Sequence, residues 1–257
     1  MIKFFRKIRQ NLLVEGKTSQ YLKYAIGEII LVVIGIFIAL QLNNWNQNRI
    51  DNLQANNALY NLKAELQKNI VDLETLDSLY ATFQSSTKKG IEMLNNNLSV
   101  RDLIALDTLI RSNYTTFPLT KSTYQELINT GNFYNIKNEK LKSEINKLYL
   151  EGERRTSAFL EINSNTQQLM LNPDLFNYHY LVDQLKSERP NIRTLDTLWI
   201  QNKNSPTFLA LYNKARLTQL ASNTGRINLI KRHIIISKNL ILSIENELKK
   251  ETNNTVK

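Results

Sequence analysis

The chain has 257 residues, with 33 Lys and Arg against 23 Asp and Glu, a formal net charge of +10, and no cysteine. The absence of cysteine excludes disulfides, thiolate metal ligands and processing as a lipoprotein. The first 24 residues hold six basic residues and one acidic residue, so they account for half of the positive excess. The other half is spread along the chain without a basic run, and we therefore expect no binding to nucleic acid.

An apolar segment at residues 25–42 is the most informative feature of the sequence. It reads AIGEIILVVIGIFIALQL, and 18 helical residues span about 27 Å, close to the thickness of the hydrocarbon core. Tyr21 and Tyr24 precede the segment and Trp45 follows it, at depths where aromatic rings anchor a helix in the headgroups. We predict a single transmembrane helix over residues 24–45, in contact with the lipid bilayer.

The charges beside this segment predict its orientation. Six basic residues precede it, whereas the 20 residues after it contain only Arg49. Positive flanks stay in the cytoplasm, so we expect the N-terminus inside the cytoplasmic (inner) membrane and the C-terminal domain in the periplasm. The apolar run is longer than a signal-peptide core, and Ala39-Leu40-Gln41 is a poor cleavage site, so we predict an uncleaved signal-anchor.

Residues 1–23 form a short basic stub. Phe5, Ile8 and Leu12 recur at helical spacing, which is typical of an amphipathic helix lying on an anionic leaflet. The alternative is a basic region without regular structure that only sets the topology.

Residues 46–251 have the composition of one helical domain, with few glycines and prolines. A heptad seam that is typical of a coiled coil runs through Ala55, Leu59, Leu62, Leu66, Asn69, Leu73, Leu76, Tyr80 and Phe83, with Asn69 as its polar break. This helix should end at Asn95-Asn96-Asn97. Ser99-Val100-Arg101-Asp102 then resembles a capping box that opens a short helix to about Arg111.

Further start and stop signals divide the middle of the domain. We predict a short helix over residues 120–132 with Gly131 as its left-handed C-cap. Asn138 should cap a longer helix to about Leu171, followed by a short helix over residues 175–187. Ser205-Pro206 is a strong N-cap signal, and only Gly225 interrupts the helical pattern from there to Glu251.

The last helix carries a second seam, through Ile227, Ile230, Ile234, Ser237, Ile241, Ile244 and Leu248. Two long helices with apolar seams most simply pack together in antiparallel fashion. The sequence therefore predicts an all-α fold, with one N-terminal transmembrane helix followed by an elongated helical bundle with two long antiparallel helices. Residues 252–257 are polar and should form a frayed tail.

The sequence contains little that points to catalysis. With two histidines, no cysteine and no H-E-x-x-H motif, we expect no catalytic zinc site, and no phosphate loop or nucleophile motif occurs. His179 lies in an aromatic cluster that either lines a pocket or packs as a corner, and His233 should lie on a solvated helix face. Glu151, Glu153, Arg154 and Arg155 fit ion pairing on a helix surface. We expect no enzyme, no cofactor and no bound metal.

Glu28 is the most unusual residue because carboxylates inside a membrane span are costly. It either reaches the cytoplasmic headgroups or contacts a cation in a partner. Gly35 and Ala39 form a small-xxx-small pair that permits close helix approach. We therefore predict a candidate intramembrane contact at Glu28, Gly35 and Ala39, with Tyr21, Tyr24 and Trp45 as interface anchors.

One stretch of the sequence runs from Tyr24-Ala25-Ile26-Gly27-Glu28-Ile29 through Gly35 and Ala39 to Asn43-Asn44-Trp45. This stretch resembles an uncharacterised family of single-pass membrane proteins of Bacteroidota. Phe4-Phe5-Arg6-Lys7-Ile8-Arg9 and, more loosely, Thr123-Tyr124-Gln125-Glu126-Leu127 resemble it too. The resemblance implies a membrane anchor and a helical domain. It implies no activity, so no catalytic residue can be carried over.

Two functions are compatible with this reading. The first is a non-enzymatic, membrane-anchored interaction or scaffold protein, whose span and seams bind another membrane protein or a second copy. The second is a sensor-like, extracytoplasmic ligand-binding bundle that acts through a partner. A buried polar pocket between the long helices would favour the sensor, and a dry leucine core would favour the scaffold.

The orientation is tested with a reporter fused after Lys257. The excess of basic residues before the apolar segment predicts that a periplasmic reporter is active at this junction and that a cytoplasmic reporter is silent. Intact-mass spectrometry of the membrane-bound protein should also find the chain uncleaved. A mature chain that starts near Asn43 would instead show that the segment is a cleaved signal peptide.

Overall fold

The computed structural model describes residues 18–111, 113–187 and 196–255, and all of its elements are helices. The chain divides into two compact units, Met1–Ala55 and Asn56–Lys257. The α-helices are α1 (Thr18–Asn95), α2 (Asp102–Leu109), α3 (Ser122–Asn129), α4 (Glu139–Met170), α5 (Phe176–Lys186), α6 (Pro206–Leu217) and α7 (Gly225–Thr255). The all-α prediction is confirmed, whereas residues 1–17 of the predicted amphipathic stub lie outside the described residues.

Local hydrogen bonds set the helix ends at the places that the sequence predicts. The side chain of Asn138 accepts a hydrogen bond of 3.1 Å from the N–H of Leu141, and this contact caps α4. The hydroxyl of Ser205 accepts one of 3.3 Å from the N–H of Phe208 at the start of α6. Gly131 follows α3 with a φ of 77°, a left-handed conformation that favours glycine.

The predicted seam of α1 is the buried face of this helix. Its members from Ala55 to Tyr80 are all buried, and Phe83 is partly buried. They pack against residues that are distant in the sequence, among them Phe159, Ile227 and Ile230. The heptad spacing therefore marks the helix face that builds the core of the bundle.

Helices α1 and α7 pack in antiparallel fashion, as the two seams predict. Three ion pairs join them at successive levels in opposite chain directions: Lys63 with Glu245, Glu74 with Lys238, and Asp77 with Lys231. The residues just before α7 continue this order, since Thr224 contacts Gln84 and Asn223 contacts Thr87. Ile70, Leu73 and Leu76 share an apolar cluster with Ile230 and Ile234. These contacts lie within the unit of residues 56–257 and define the register of the pair.

Helix α4 completes the core beside α1 and α7. The amide of Asn138 donates a 2.7 Å hydrogen bond to Glu247, near one end of α4, and Asn163 contacts Arg226 near its other end. Helix α4 is therefore antiparallel to α7. A second apolar cluster joins the end of α1 to α2, α5 and α6, with Leu94, Leu103, Tyr178 and Leu211 among its buried members.

The helical run predicted from Pro206 continues without a break to Thr255, but it is not regular throughout. Instead of one regular helix from Pro206, the chain forms α6, then a π-helix over Thr218–Thr224, and then α7. The irregularity precedes Gly225 rather than falling on it. The wider π turn allows two consecutive residues, Asn223 and Thr224, both to reach polar side chains of α1. Leu240 is also more deeply buried than the predicted seam residue Ile241.

The core assignment is tested by placing a charge in the seam. Leu66 is 0% exposed, so Leu66→Asp buries an unpaired carboxylate and should lower the free energy of unfolding by roughly 3–5 kcal/mol. Leu160→Asp is the matched control because Leu160 is 53% exposed on α4. Urea unfolding of both variants in detergent measures the difference, and equal stabilities would contradict the assignment.

Candidate functional site

The apolar segment of α1 is fully helical, and its side chains face outward. Its large apolar side chains are 45–70% exposed within the structure. Among the described residues, α1 is the helix that is long and apolar enough to cross a membrane. An exposed apolar surface of this extent requires a lipid or protein environment, because water would not tolerate it.

The predicted contact residues share one face of this segment. Glu28, Gly35 and Ala39 are separated by seven and four residues, so a helix places them above one another. A Cβ atom added to Gly35 would meet nothing within 4 Å, so this part of the face is open. Glu28 is half-buried in a shallow groove with Ala25, Ile29, Val32 and Val33.

The predicted interface anchors are only partly described. Trp45 is exposed on α1, as an anchor in the headgroups requires. The side chains of Tyr21 and Tyr24 lie outside the described part of the structure. Their anchoring role therefore stays a prediction.

In the second unit, residues 113–121 form an extended segment that follows α1, which we call the crossing segment. This segment explains why a polar residue, Asn69, lies in the apolar seam of α1. The side-chain amide of Asn69 donates to the carbonyl of Thr120 at 2.8 Å and accepts from the N–H of Thr120 at 3.0 Å. The hydroxyl of Tyr80 contacts the Thr115 hydroxyl at 2.6 Å. The polar residue of the seam thus binds the backbone of the crossing segment to α1.

Glu65 holds the start of α3 from the same face of α1. Its carboxylate accepts hydrogen bonds from the Ser122 hydroxyl at 2.8 Å, the Thr123 N–H at 2.7 Å and the Tyr149 hydroxyl at 2.7 Å. An anion at this position also complements the helix dipole of α3. Burial and this hydrogen bond to a carboxylate raise the pKa of the Tyr149 hydroxyl, so Tyr149 stays a donor.

A polar layer lies where α1, α4, the π-helix and the start of α7 meet, and we define it as Thr87, Asn163, Asn223 and Arg226, of which all but Asn163 are buried. Arg226 is 0% exposed, and its guanidinium donates to the Asn163 side chain. The guanidinium also lies over the rings of Tyr80 and Phe159, 5.1 and 5.6 Å from their centroids. Cation–π contacts of this kind stabilise a desolvated cation, although burial still lowers the pKa of Arg226.

The prediction that His233 lies on a solvated helix face is wrong. Its side chain is 1% exposed, and neither ring nitrogen has a hydrogen-bond partner. The ring meets Phe117 of the crossing segment edge-on at 5.2 Å and lies beside Gly152 of α4. Burial, with Arg155 nearby, lowers the pKa of His233 from 6.5 to about 4, so the ring is neutral at pH 7.

The predicted surface ion pairing on α4 is right for Arg154 and wrong in part for Arg155. Both guanidinium groups contact Glu151, at 3.1 and 3.2 Å, but Arg155 is buried. Glu153 pairs instead with Lys121 at 2.6 Å. Arg155 turns inward because the crossing segment and α7 cover this side of α4, which the sequence of α4 alone does not reveal.

The aromatic cluster around His179 is a packed corner. Tyr178 is fully buried against Trp199, and the ammonium of Lys214 lies 5.4 Å from the Tyr178 ring centroid. The Tyr178 hydroxyl donates to Asp107 at 3.4 Å, and Lys186 pairs with the same carboxylate at 2.6 Å. Of the two sequence-based alternatives for this cluster, these contacts match the corner.

The described residues contain no group of three or more His, Cys, Asp or Glu side chains that could hold a metal ion. The residues that the sequence did not single out are Glu65 and Arg226. One available signal for Arg226 was a basic residue at a seam-adjacent position of α7, one residue before Ile227. No sequence signal pointed to Glu65, because a single acidic residue beside a seam is common.

The fold and the exposed apolar helix define an all-α protein with a candidate membrane-spanning helix at its N-terminal end. A family model described as a family of unknown function, DUF6090, matches residues 28–166. This region begins at Glu28 and covers more than half of the chain, so the chain belongs to this family. Neither the curated proteins nor the solved structures contain a match.

The burial of His233 predicts a pH-dependent stability. Above pH 6.5 the ring is neutral in both states, but as the pH falls towards 4 the unfolded chain binds a proton that the folded chain excludes. Folded stability should therefore fall over this range, by up to about 3 kcal/mol.

His233→Phe removes this proton site and two buried nitrogen atoms that have no partner. The difference in unfolding free energy between the variant and the natural chain should grow as the pH falls from 7 to 4. His179→Asn is the comparison: burial and Lys214 also lower the pKa of His179, but His179 is only half-buried, so its removal should give the smaller pH-dependent difference. A constant difference between the His233→Phe and natural curves would contradict the assignment.

Proposed function

We propose that this protein is a non-enzymatic, membrane-anchored interaction or scaffold protein. The observation that carries the proposal is the exposed apolar segment at residues 25–42 of α1, joined in the sequence to a helical domain. A helix of this length and composition matches the hydrocarbon core of a bilayer. The helical domain is then held at a membrane surface, where it contacts a partner.

The orientation within this proposal follows from the charges. The N-terminus lies in the cytoplasm, the segment remains as an uncleaved signal-anchor in the inner membrane, and residues 46–257 form the periplasmic part. The resemblance to single-pass proteins of Bacteroidota supports this arrangement. The family match begins inside the apolar segment and therefore includes most of it.

Within the membrane, the proposed contact surface is the face of Glu28, Gly35 and Ala39. Small residues let a second helix approach closely, and Glu28 lies on the same helix face as Gly35 and Ala39. A carboxylate at this depth favours a charge-assisted contact over a lipid tail.

The leucine-rich core between α1, α4 and α7 supports a scaffold.

The polar layer favours the sensor-like bundle as a second candidate function. Arg226, Asn163 and Asn223 lie between the long helices, next to a π-helix, and π-helices recur at functional sites. In this alternative a polar ligand binds between α1, α4 and α7, and a partner carries the signal. Ligand-induced protection of the polar layer from hydrogen exchange would support the sensor, and a layer indifferent to added ligands would support the scaffold.

The membrane contact is tested by substitutions on two faces of the apolar segment. Glu28→Gln removes the charge and Gly35→Leu blocks close approach, so both should lose the associated membrane protein from pull-downs in mild detergent. Phe37→Leu is the matched control, since helical spacing places Phe37 on the opposite face. All three variants should insert equally.

Identical partner lists for Glu28→Gln and the natural chain, at equal expression, would contradict a contact through Glu28. That result would mean that the carboxylate only reaches the headgroups. Loss of partners from Phe37→Leu as well would mean that the segment, rather than one face, is responsible.

A further inference from the structure

The outer side of the α1–α7 pair combines apolar side chains with a row of ion pairs. Four large apolar side chains are exposed there: Tyr60 at 55%, Val71 at 61%, Ile235 at 59% and Leu242 at 57%. Beside them the exposed pair of Glu74 and Lys238 joins the two helices at 2.8 Å. We call this surface, made of these six residues, the α1–α7 face.

Helical spacing brings these residues together. Val71 lies one turn before Glu74 on α1, and Ile235 and Leu242 lie about one turn on either side of Lys238 on α7. Because Glu74 and Lys238 are in contact, the three apolar side chains surround the ion pair. Tyr60 extends the apolar surface along α1 towards Lys63, which pairs with Glu245.

The charges on and beside the α1–α7 face are complementary to those on a second copy. At each level the two helices carry opposite charges: Glu74 faces Lys238, Asp77 faces Lys231, and Lys63 faces Glu245. A two-fold axis parallel to the helices places α1 of one copy opposite α7 of the other at the same level. Glu74 of each copy then lies opposite Lys238 of the other, and Val71 lies between the levels of Ile235 and Leu242.

We propose that the α1–α7 face is the interface between two copies of this chain, which form a four-helix bundle from α1 and α7 of each. This inference deepens the proposed function, on which it rests, by naming the partner as a second copy. Two-fold interfaces use the same surface on both copies. Anchoring in one membrane raises the effective concentration, so a modest apolar area is sufficient.

The absence of cysteine allows a direct test by cross-linking of the full chain in native membranes. Val71→Cys and Ile235→Cys, co-expressed with different tags, should give a mixed dimer of twice the 29.9 kDa chain mass with a short bismaleimide. Leu160→Cys is the matched control, as Leu160 is similarly exposed on α4. A Leu160→Cys dimer of equal yield would show random collision and overturn the proposal.

A charge exchange tests the two-fold axis. Glu74→Lys gives a copy with two positive groups at this level, and Lys238→Glu gives a copy with two negative groups. Two copies of the same variant repel each other at this level, whereas a mixed dimer with one copy of each variant restores both contacts across the axis. Cross-linked dimer should fall in each single variant and recover in the mixture, with a difference of roughly fivefold for two exposed pairs.

Neither charge variant should unfold, because Glu74 and Lys238 are about half-exposed and such pairs add little stability. Equal dimer yields from the separate and mixed variants would overturn the interface. Membrane fractionation of the same samples reports on the proposed function separately. A chain that leaves the membrane fraction but still cross-links through Val71 and Ile235 would contradict the anchor and support the dimer.

Discussion

The crossing segment packs along α1 with Phe117 as its buried residue, and its backbone groups that face the helices need hydrogen-bond partners that no sheet supplies. The bundle depends on how these partners are provided. A buried N–H or C=O group without a partner costs about 1–3 kcal/mol. Side chains of α1 supply several of these partners, and the Asn163 amide of α4 donates to the carbonyl of Thr115. Asn69 serves both backbone groups of Thr120, and Glu65 accepts the N–H of Thr123 at the start of α3.

The position of the crossing segment on α1 determines how α4 and α7 pack. Once the crossing segment lies along α1, its Phe117 side chain projects into the core and contacts Phe159 of α4 and His233 of α7. Helix α7 therefore packs on a surface that includes the ring of Phe117, which belongs to the crossing segment and not to a long helix. The neutral His233 ring is the consequence, since a charged imidazole could not occupy so apolar a site.

The features that depend on neighbouring residues in the sequence were predictable. Caps at Asn138 and Ser205, the left-handed Gly131 and the α1 seam all follow from local hydrogen bonds or from helical periodicity. The π-helix and the burial of Arg155 and His233 depend on contacts between distant segments, and no local pattern carries them. For the candidate membrane contact, spacing placed Glu28, Gly35 and Ala39 on one face, but spacing alone does not say what meets it.

The antiparallel pairing of α1 with α7 also has a consequence for how the protein is made. Its ion pairs join residues that are separated by 154 to 182 positions, from Asp77 with Lys231 to Lys63 with Glu245. At about 5–20 residues per second, roughly 8–36 s of synthesis separate the emergence of the two partners. During that interval the apolar seam of α1 has no α7 to cover it. Until α7 is made, the nascent chain therefore carries an apolar helix face that the finished bundle buries.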